Sequence, residues 1–310
     1  MHKLILVIVI VIVSILVLIT AVATYFFHYA LDNQFKGGRS FDNPFSSDYM
    51  ERINKETAAL FEESKMEDVY ITSHDGLRLH GYLSTAQDTH VYAIFAHGYK
   101  GRAIDMVPYA RHYYDKGYNY LIFDQRAHGE SEGRFITMGY EEKRDLISWI
   151  FYIISLDKDA KIILHGVSMG AATVLMATGE ELPSNVVARI EDCGYTSVWD
   201  IFKDQLKELF HLPSFPLLDA ASLETKLRLG FSFKEASSLD AVKRSKTPTL
   251  FIHGEDDTFV GYYMLDKLYS AENATKDILS VPGAGHAQSL STNSELYWSS
   301  VDAFLSRFSL

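Results

Sequence analysis

The sequence predicts an α/β fold: a mainly parallel sheet with helices on both faces and a helical insertion, preceded by one N-terminal apolar helix. Three observations predict it. From Val91 onward, short apolar runs alternate with helical patterns, as in a parallel sheet covered on both sides. Gly166-Val167-Ser168-Met169-Gly170 follows the apolar run Lys161 to Leu164 and leads straight into Ala171-Ala172-Thr173-Val174-Leu175-Met176, which describes a strand, a sharp turn and a helix with a serine at the tip. Finally, Leu4 to Phe27 is interrupted only by Ser14, Thr20 and Thr24, long enough to cross a bilayer as a helix.

Composition narrows the function classes. A chain of 310 residues, 47% hydrophobic and 22% charged, holds one large domain with a sizeable core. A formal net charge of -11 without a basic stripe argues against a nucleic-acid partner. The single cysteine, Cys193, permits no intrachain disulfide and fits no metal-ligand spacing; it reads as a small buried residue. There is neither a metal-type cluster nor a phosphate-cradling GxxxxGK[ST] motif, so no cofactor and no metal is expected.

Taken in order, residues 1–31 form the expected transmembrane anchor. A cleaved signal peptide competes, because Ala21-Val22-Ala23 follows a basic start at Lys3. The uncleaved anchor is preferred because the apolar run outlasts a signal core and continues through Tyr25, Phe26 and Phe27. Lys3 and the amino terminus lie on one side, Lys36 and Arg39 beyond the other; the orientation adopted puts the terminus inside and the domain outside, a single-pass protein with an extracytoplasmic domain. Residues 32–64 form a tether with Gly37-Gly38 and Pro44, then an amphipathic helix, Ser47 to Ser64, carrying Met50, Ile53, Ala58, Leu60 and Phe61.

Residues 65–310 form the main domain. Val69 to Thr72 and Leu77 to Leu83 flank His74-Asp75-Gly76, a hairpin signal. Strands follow at Val91 to Ala96, Tyr118 to Phe123, Lys161 to Leu164, Val186 to Ile190, Thr249 to Ile252 and Ile278 to Val281. Leu146, Trp149, Ile150 and Ile153 mark a packed helix by their spacing. The stretch at about 195–240 breaks the rhythm, with Trp199, Phe202, Leu206, Leu209 and Phe210 at helical spacing. An insertion this long between sheet strands is expected to act as a lid over their carboxyl ends.

A serine hydroxyl becomes a nucleophile at neutral pH only with a base to take its proton and an acid to orient the base. His253-Gly254-Glu255-Asp256-Asp257 follows one strand, and Pro282-Gly283-Ala284-Gly285-His286 follows the last. Ser168, an acid, then His286 is a functional order; Asp256 and Asp257 both qualify as the acid, with Asp192 as a rival. The Met169 N–H, at a helix amino terminus, is a candidate donor to an oxyanion. His97, His128, His165 and His253 each sit beside a glycine and are expected to make structural hydrogen bonds.

From about Val69 to its end, the chain resembles an α/β-hydrolase, and is similar to the membrane-anchored bacterial branch allied to serine aminopeptidase-like and esterase-like hydrolases. Four blocks carry the resemblance: His97-Gly98-Tyr99, Asp124-Gln125-Arg126-Ala127-His128-Gly129-Glu130-Ser131, the turn at Ser168, and the Asp257 and His286 loops. The resemblance implies that Ser168 is the nucleophile, His286 the general base and then acid, and Asp257 rather than Asp256 the orienting carboxylate. It also implies the Tyr99 backbone N–H as a second oxyanion donor beside Met169. Ala127, where the family often has glycine, and Gly261, where proline often follows valine, depart from the pattern without touching these positions. The implied function is a membrane-anchored serine hydrolase that cleaves a carboxylic ester with an apolar acyl part through an acyl-enzyme. Two alternatives stand beside it. One is an aminopeptidase-like amide hydrolase using lid acids such as Asp219, Glu224 or Glu235; the other is an inactive hydrolase fold that only binds. The expected partners are a small-molecule ester or amide and the membrane.

Overall fold

The computed structural model describes residues 2–36, 47–308 and 310. Along the chain come α1 (His2–Leu31), α2 (Ser47–Glu63), β1 (Glu67–Thr72), β2 (Arg78–Ser84), β3 (Val91–Ala96), α3 (Val107–Asp115), β4 (Asn119–Phe123), α4 (Glu142–Leu156), β5 (Lys161–Val167) and α5 (Met169–Thr178). They are followed by β6 (Val186–Asp192), α6 (Val198–Phe210), α7 (Leu217–Leu229), α8 (Ser238–Val242), β7 (Thr249–Gly254), α9 (Tyr263–Ala271), β8 (Lys276–Val281), α10 (Ser289–Thr292) and α11 (Ser294–Ser306). The eight strands form one sheet in the order β1-β2-β4-β3-β5-β6-β7-β8. The opening hairpin pairs antiparallel and joins β4 antiparallel; every later pairing is parallel.

Strand alternation sorts the core into two layers. Ala93, Phe95, Ile163, Ile190 and Ile252 face α3 and α11, where Tyr113, Val301 and Phe304 are buried. Ile94, Ile162 and Leu164 face the opposite side, closed by Leu146, Trp149, Ile150 and Ile153 of α4 and Val174 of α5. Strands buried on both faces explain why their sequences are almost uninterrupted apolar runs. Leu60 of α2 is fully buried in the first layer.

The register positions the loops that matter. Ala96 of β3 pairs with Gly166 of β5, so the loop after β3 and the turn at Ser168 leave the sheet side by side. Gly254 of β7 pairs with Val281 of β8, so the loops carrying Asp257 and His286 emerge together at the same end. The insertion between β6 and β7 contributes α6, α7 and α8.

The helix α1 is long and apolar enough to cross a membrane, and its most apolar 18-residue window is entirely unburied. The last third of α1, within the expected anchor 1–31, is held by the domain. Ala23, Phe27 and Leu31 are buried in a cluster with Met138, Val198, Ile201, Leu218, Ala221 and Phe231, so the last third of α1 packs as part of the domain. The beginning of the expected tether is also held. Asp32 is buried and paired with Arg134 at 2.8 Å, and Asn33 and Ile136 exchange backbone bonds with Arg134 and Leu31. The reason is local: an apolar helix face entering a domain must be covered, and its first polar residues then meet the domain's own loop. Gly37-Gly38 and Pro44 lie outside the described residues.

Candidate active site

At the end of β5 the chain turns through Ser168 with φ 56° and ψ -117°, a left-handed conformation that is strained for a side chain bearing Cβ. The turn is tight enough that a Cβ on Gly166 would collide with the Gly170 carbonyl, and one on Gly170 with the Ala96 carbonyl. Both positions therefore require glycine. Ser168 N–H donates to the Asp192 carbonyl at 2.8 Å, fixing the turn to the neighbouring strand.

The Ser168 Oγ lies 2.8 Å from His286 Nε2, and His286 Nδ1 lies 2.8 Å from Asp257 Oδ2. With Nδ1–H donated to the carboxylate, Nε2 carries the lone pair that accepts the serine proton. Asp257 is buried, and its Oδ1 accepts the N–H groups of Phe259 and Val260, each at 2.9 Å. Burial alone would raise its pKa, but hydrogen bonds from His253 and His286 outweigh it and hold the carboxyl well below the usual range. The anion is thus present over the whole neutral range. Asp256 is exposed. Asp192 accepts from Ser289 at 3.2 Å, and burial raises its pKa to about 6.

Ser168 leads straight into a helix amino terminus and lies against the loop after β3. Met169 opens α5, where the first N–H groups of a helix have no intrahelical acceptor. The loop after β3 passes so close that a Cβ on Gly98 would stand 3.5 Å from the Ser168 Cβ, and Tyr99, next in that loop, lines the same cleft as Ser168. A buried network props that loop. Gln125 N–H donates to His97 Nε2 at 3.0 Å, its amide donates to the His97 carbonyl at 2.6 Å, and Lys100 N–H donates to His128 Nε2 at 3.0 Å. His165 lies between the hydroxyls of Tyr113 and Tyr297. Burial lowers the His97 pKa, that of His128 to about 4 and that of His165 to about 3, so all three are neutral spacers.

His253 is different, and sequence reasoning grouped it with those three. Its Nε2 lies 2.9 Å from the Val260 carbonyl and 3.2 Å from Asp257 Oδ2, so it shares the carboxylate that orients His286. Its position four residues ahead of Asp257, across one short turn, was the signal available. Burial would lower its pKa, yet the Asp257 bond and charge raise it.

Cys193, Asp257 and His286 form one grouping with ligand-type atoms within 4.8 Å of one another. The Cys193 thiol is pushed well up by burial, and the other two are already bonded together, so the grouping offers no ready thiolate ligand to a cation. In the second grouping, His74, Asp75 and Asp145, Arg126 bonds both carboxylates.

Ser168 lines a cleft that opens to solvent. The insertion lines it with Ile201, Phe202, Leu206 and Phe210 of α6 and Leu217 and Leu218 of α7, and α1 adjoins them with Phe26, Tyr29 and Ala30. Tyr99 and Phe259 complete the base. Asp219, Glu224 and Glu235 are not among the described residues lining it. Glu224 instead bonds Thr24 and pairs with Arg228, and Glu235 pairs with Lys226.

Known proteins resemble this chain along most of its length. A family model described as serine aminopeptidase, S33 matches residues 87–191. The uncharacterized protein YqkD of Bacillus subtilis is 30% identical over 246 residues, covering 79% of this chain and 81% of that protein. The alpha/beta hydrolase domain-containing protein WAV2 of Arabidopsis thaliana is 23% identical over 250 residues, covering 78% and 79%. Among solved structures, an esterase of Pyrococcus furiosus superposes with a TM-score of 0.64 at 23% identity, over 80% of this chain and 94% of that one.

Proposed function

The chain belongs to the α/β-hydrolase superfamily, and from that premise we propose that it is a serine esterase anchored in a membrane by α1. The observation that carries the reading is the hydrogen-bonded chain Ser168–His286–Asp257 beneath an apolar cleft. In the proposed reaction the Ser168 Oγ attacks the ester carbonyl carbon while His286 Nε2 takes its proton, and the carbonyl oxygen becomes an oxyanion facing the N–H groups of Met169 and Tyr99. Collapse breaks the bond to the alcohol, which leaves with the proton from His286, and the acyl group stays on Ser168. Water then repeats the sequence: His286 takes its proton, its oxygen attacks the acyl carbon, and the carboxylic acid departs as Ser168 recovers its proton. Asp257 keeps the imidazole oriented and stabilises the imidazolium in both halves.

An ester is favoured over the amino-terminal amide of a peptide by the walls of the cleft. A free amino terminus is a buried cation in such a site and needs a carboxylate partner. None of the described residues lining the cleft is acidic. The insertion α6–α7 acts as the lid, and the domain is placed on the extracytoplasmic side, following the basic Lys3 at the inner end; protease added outside intact cells would digest a domain so placed.

The test is turnover of p-nitrophenyl butyrate by the full chain in detergent, beside Ser168→Ala and beside the matched anilide. Ester hydrolysis that disappears in the variant and exceeds anilide hydrolysis supports the reading. Anilide turnover equal to or above ester turnover would reverse it in favour of a peptidase, and a folded protein inert on both would point to a binding module.

A further inference from the structure

The helix α1 changes character along its length. Its most apolar window is entirely exposed, whereas from Ala23 every fourth residue, Ala23, Phe27 and Leu31, is buried against the domain. About 20 helical residues at about 1.5 Å each cross the roughly 30 Å hydrocarbon core of a bilayer. Counted from Leu4, that length ends where burial begins. Immediately beyond, Phe26 and Tyr29 line the cleft, their rings 4.9 Å and 5.5 Å from that of Phe210 on α6. The cleft wall therefore starts at the level where the bilayer would stop.

The lid carries matching features. Thr24 donates to Glu224 at 2.9 Å, and the Arg228 guanidinium lies over the Phe27 ring at 5.1 Å. These two contacts make α7 run alongside α1 in the same sense, so its amino-terminal end points back towards the apolar span. Phe215, just before that end, is 75% exposed. On α7 itself Leu223 and Leu227 are 60% and 79% exposed. Large exposed apolar side chains beside a helix long enough to cross a membrane suit a lipid surface.

We propose that the cleft takes its substrate from the bilayer: an ester whose acyl chain is dissolved in the membrane enters the cleft past Phe26 and Tyr29, which set the fit of that chain. The inference rests on the esterase reading above and on α1 spanning the membrane. It gives α1 a second task, since a helix that only anchored the domain would have no reason to line the cleft that holds Ser168. The Tyr99 hydroxyl, which donates to the Ala30 carbonyl at 2.7 Å, ties this wall to the loop beside the nucleophile.

The test uses the full chain reconstituted in vesicles of dialkyl-ether phosphatidylcholine, which holds no ester of its own. p-Nitrophenyl dodecanoate and p-nitrophenyl butyrate are each supplied at fixed bulk amount while the ether lipid is raised about tenfold. The dodecanoate rate is expected to fall with its surface fraction, by about tenfold, while the water-soluble butyrate is hydrolysed at a nearly constant rate. Phe26→Trp, which narrows the wall, is expected to lower the dodecanoate-to-butyrate ratio by about tenfold. A dodecanoate rate that ignores surface fraction overturns the proposal while leaving the esterase intact. Absence of butyrate turnover in the unaltered protein overturns the esterase reading and this proposal with it.

Discussion

The floor and the wall of the cleft are built by different physics. The floor is polar and locked: Asp257 accepts from two backbone N–H groups and two histidines, and Ser168 is held in a turn that admits only glycine at both flanks. The wall is apolar, made where α1 packs on α6 and α7 through Phe27, Leu31, Ile201 and Leu218. Hydrogen bonds demand one geometry, so the floor suits chemistry at fixed distances. Dispersion and burial tolerate repacking, so the wall suits chain selection.

If that division holds, damage to the floor stops turnover and damage to the wall redistributes it. The largest effect is expected from Asp257→Asn, which replaces the carboxylate that fixes the His286 tautomer. Turnover of a soluble ester should fall by roughly 10³- to 10⁴-fold with little change in KM, and steady-state kinetics checks this. Phe27→Ala strikes the wall instead. Deleting a fully buried ring costs about 3 kcal/mol of stability in typical cores. It is expected to appear as a lowered unfolding midpoint and a broadened acyl-length profile, while butyrate turnover falls far less than in Asp257→Asn. Equal losses in both variants would erase the distinction between floor and wall.

A third prediction concerns the polar layer beneath the floor. Glu191 is fully buried at the end of β6, and burial pushes its pKa up to about 7. A carboxyl whose folded-state pKa exceeds its unfolded value contributes stability that is complete below about pH 4.5 and is lost as pH rises towards about 7. Glu191→Gln keeps an acceptor for the Gly194 N–H, which the native side chain receives at 2.9 Å. The fall in unfolding midpoint between pH 5 and pH 8 should therefore be shallower in the variant, as thermal melts at several pH values would reveal. Asp192 shifts in the same direction, so some slope should persist.

The smallest effect lies where floor and wall meet. Tyr99→Phe removes the bond to the Ala30 carbonyl but keeps the Tyr99 N–H. A lost hydrogen bond of about 1 kcal/mol should appear as a few-fold fall in kcat on long and short esters alike. An unchanged kcat would mean that α1 is not coupled to the loop after β3.

The same division separates what the sequence discloses from what it hides. The strands are legible because strands buried on both faces become apolar runs, and each observed strand is close to its expected range, with β5 extended to Val167 and β6 to Asp192. Ser168, Asp257 and His286, ordered along the chain, meet in one hydrogen-bonded line, since each follows a strand whose end the parallel register fixes. The wall left no comparable signal. An all-apolar helix does not disclose which of its faces docks, so the burial of Ala23, Phe27 and Leu31 had no amphipathic pattern to announce it. The pairing of Asp32 with Arg134 joins residues far apart in sequence through a loop without regular structure. His253 was hidden for another reason: a histidine at a strand end has the same sequence appearance whether it props a loop or grips a carboxylate.

The central claim is that Ser168 is an activated nucleophile, and a fluorophosphonate tests it most directly. Attack by the Ser168 oxygen on phosphorus expels fluoride and leaves a stable adduct, located by peptide mass spectrometry on the full chain in detergent. The account predicts an adduct on Ser168, none in Ser168→Ala and much slower labelling in Asp257→Asn. A folded protein that takes up no phosphonate, or takes it up at another residue, would contradict it.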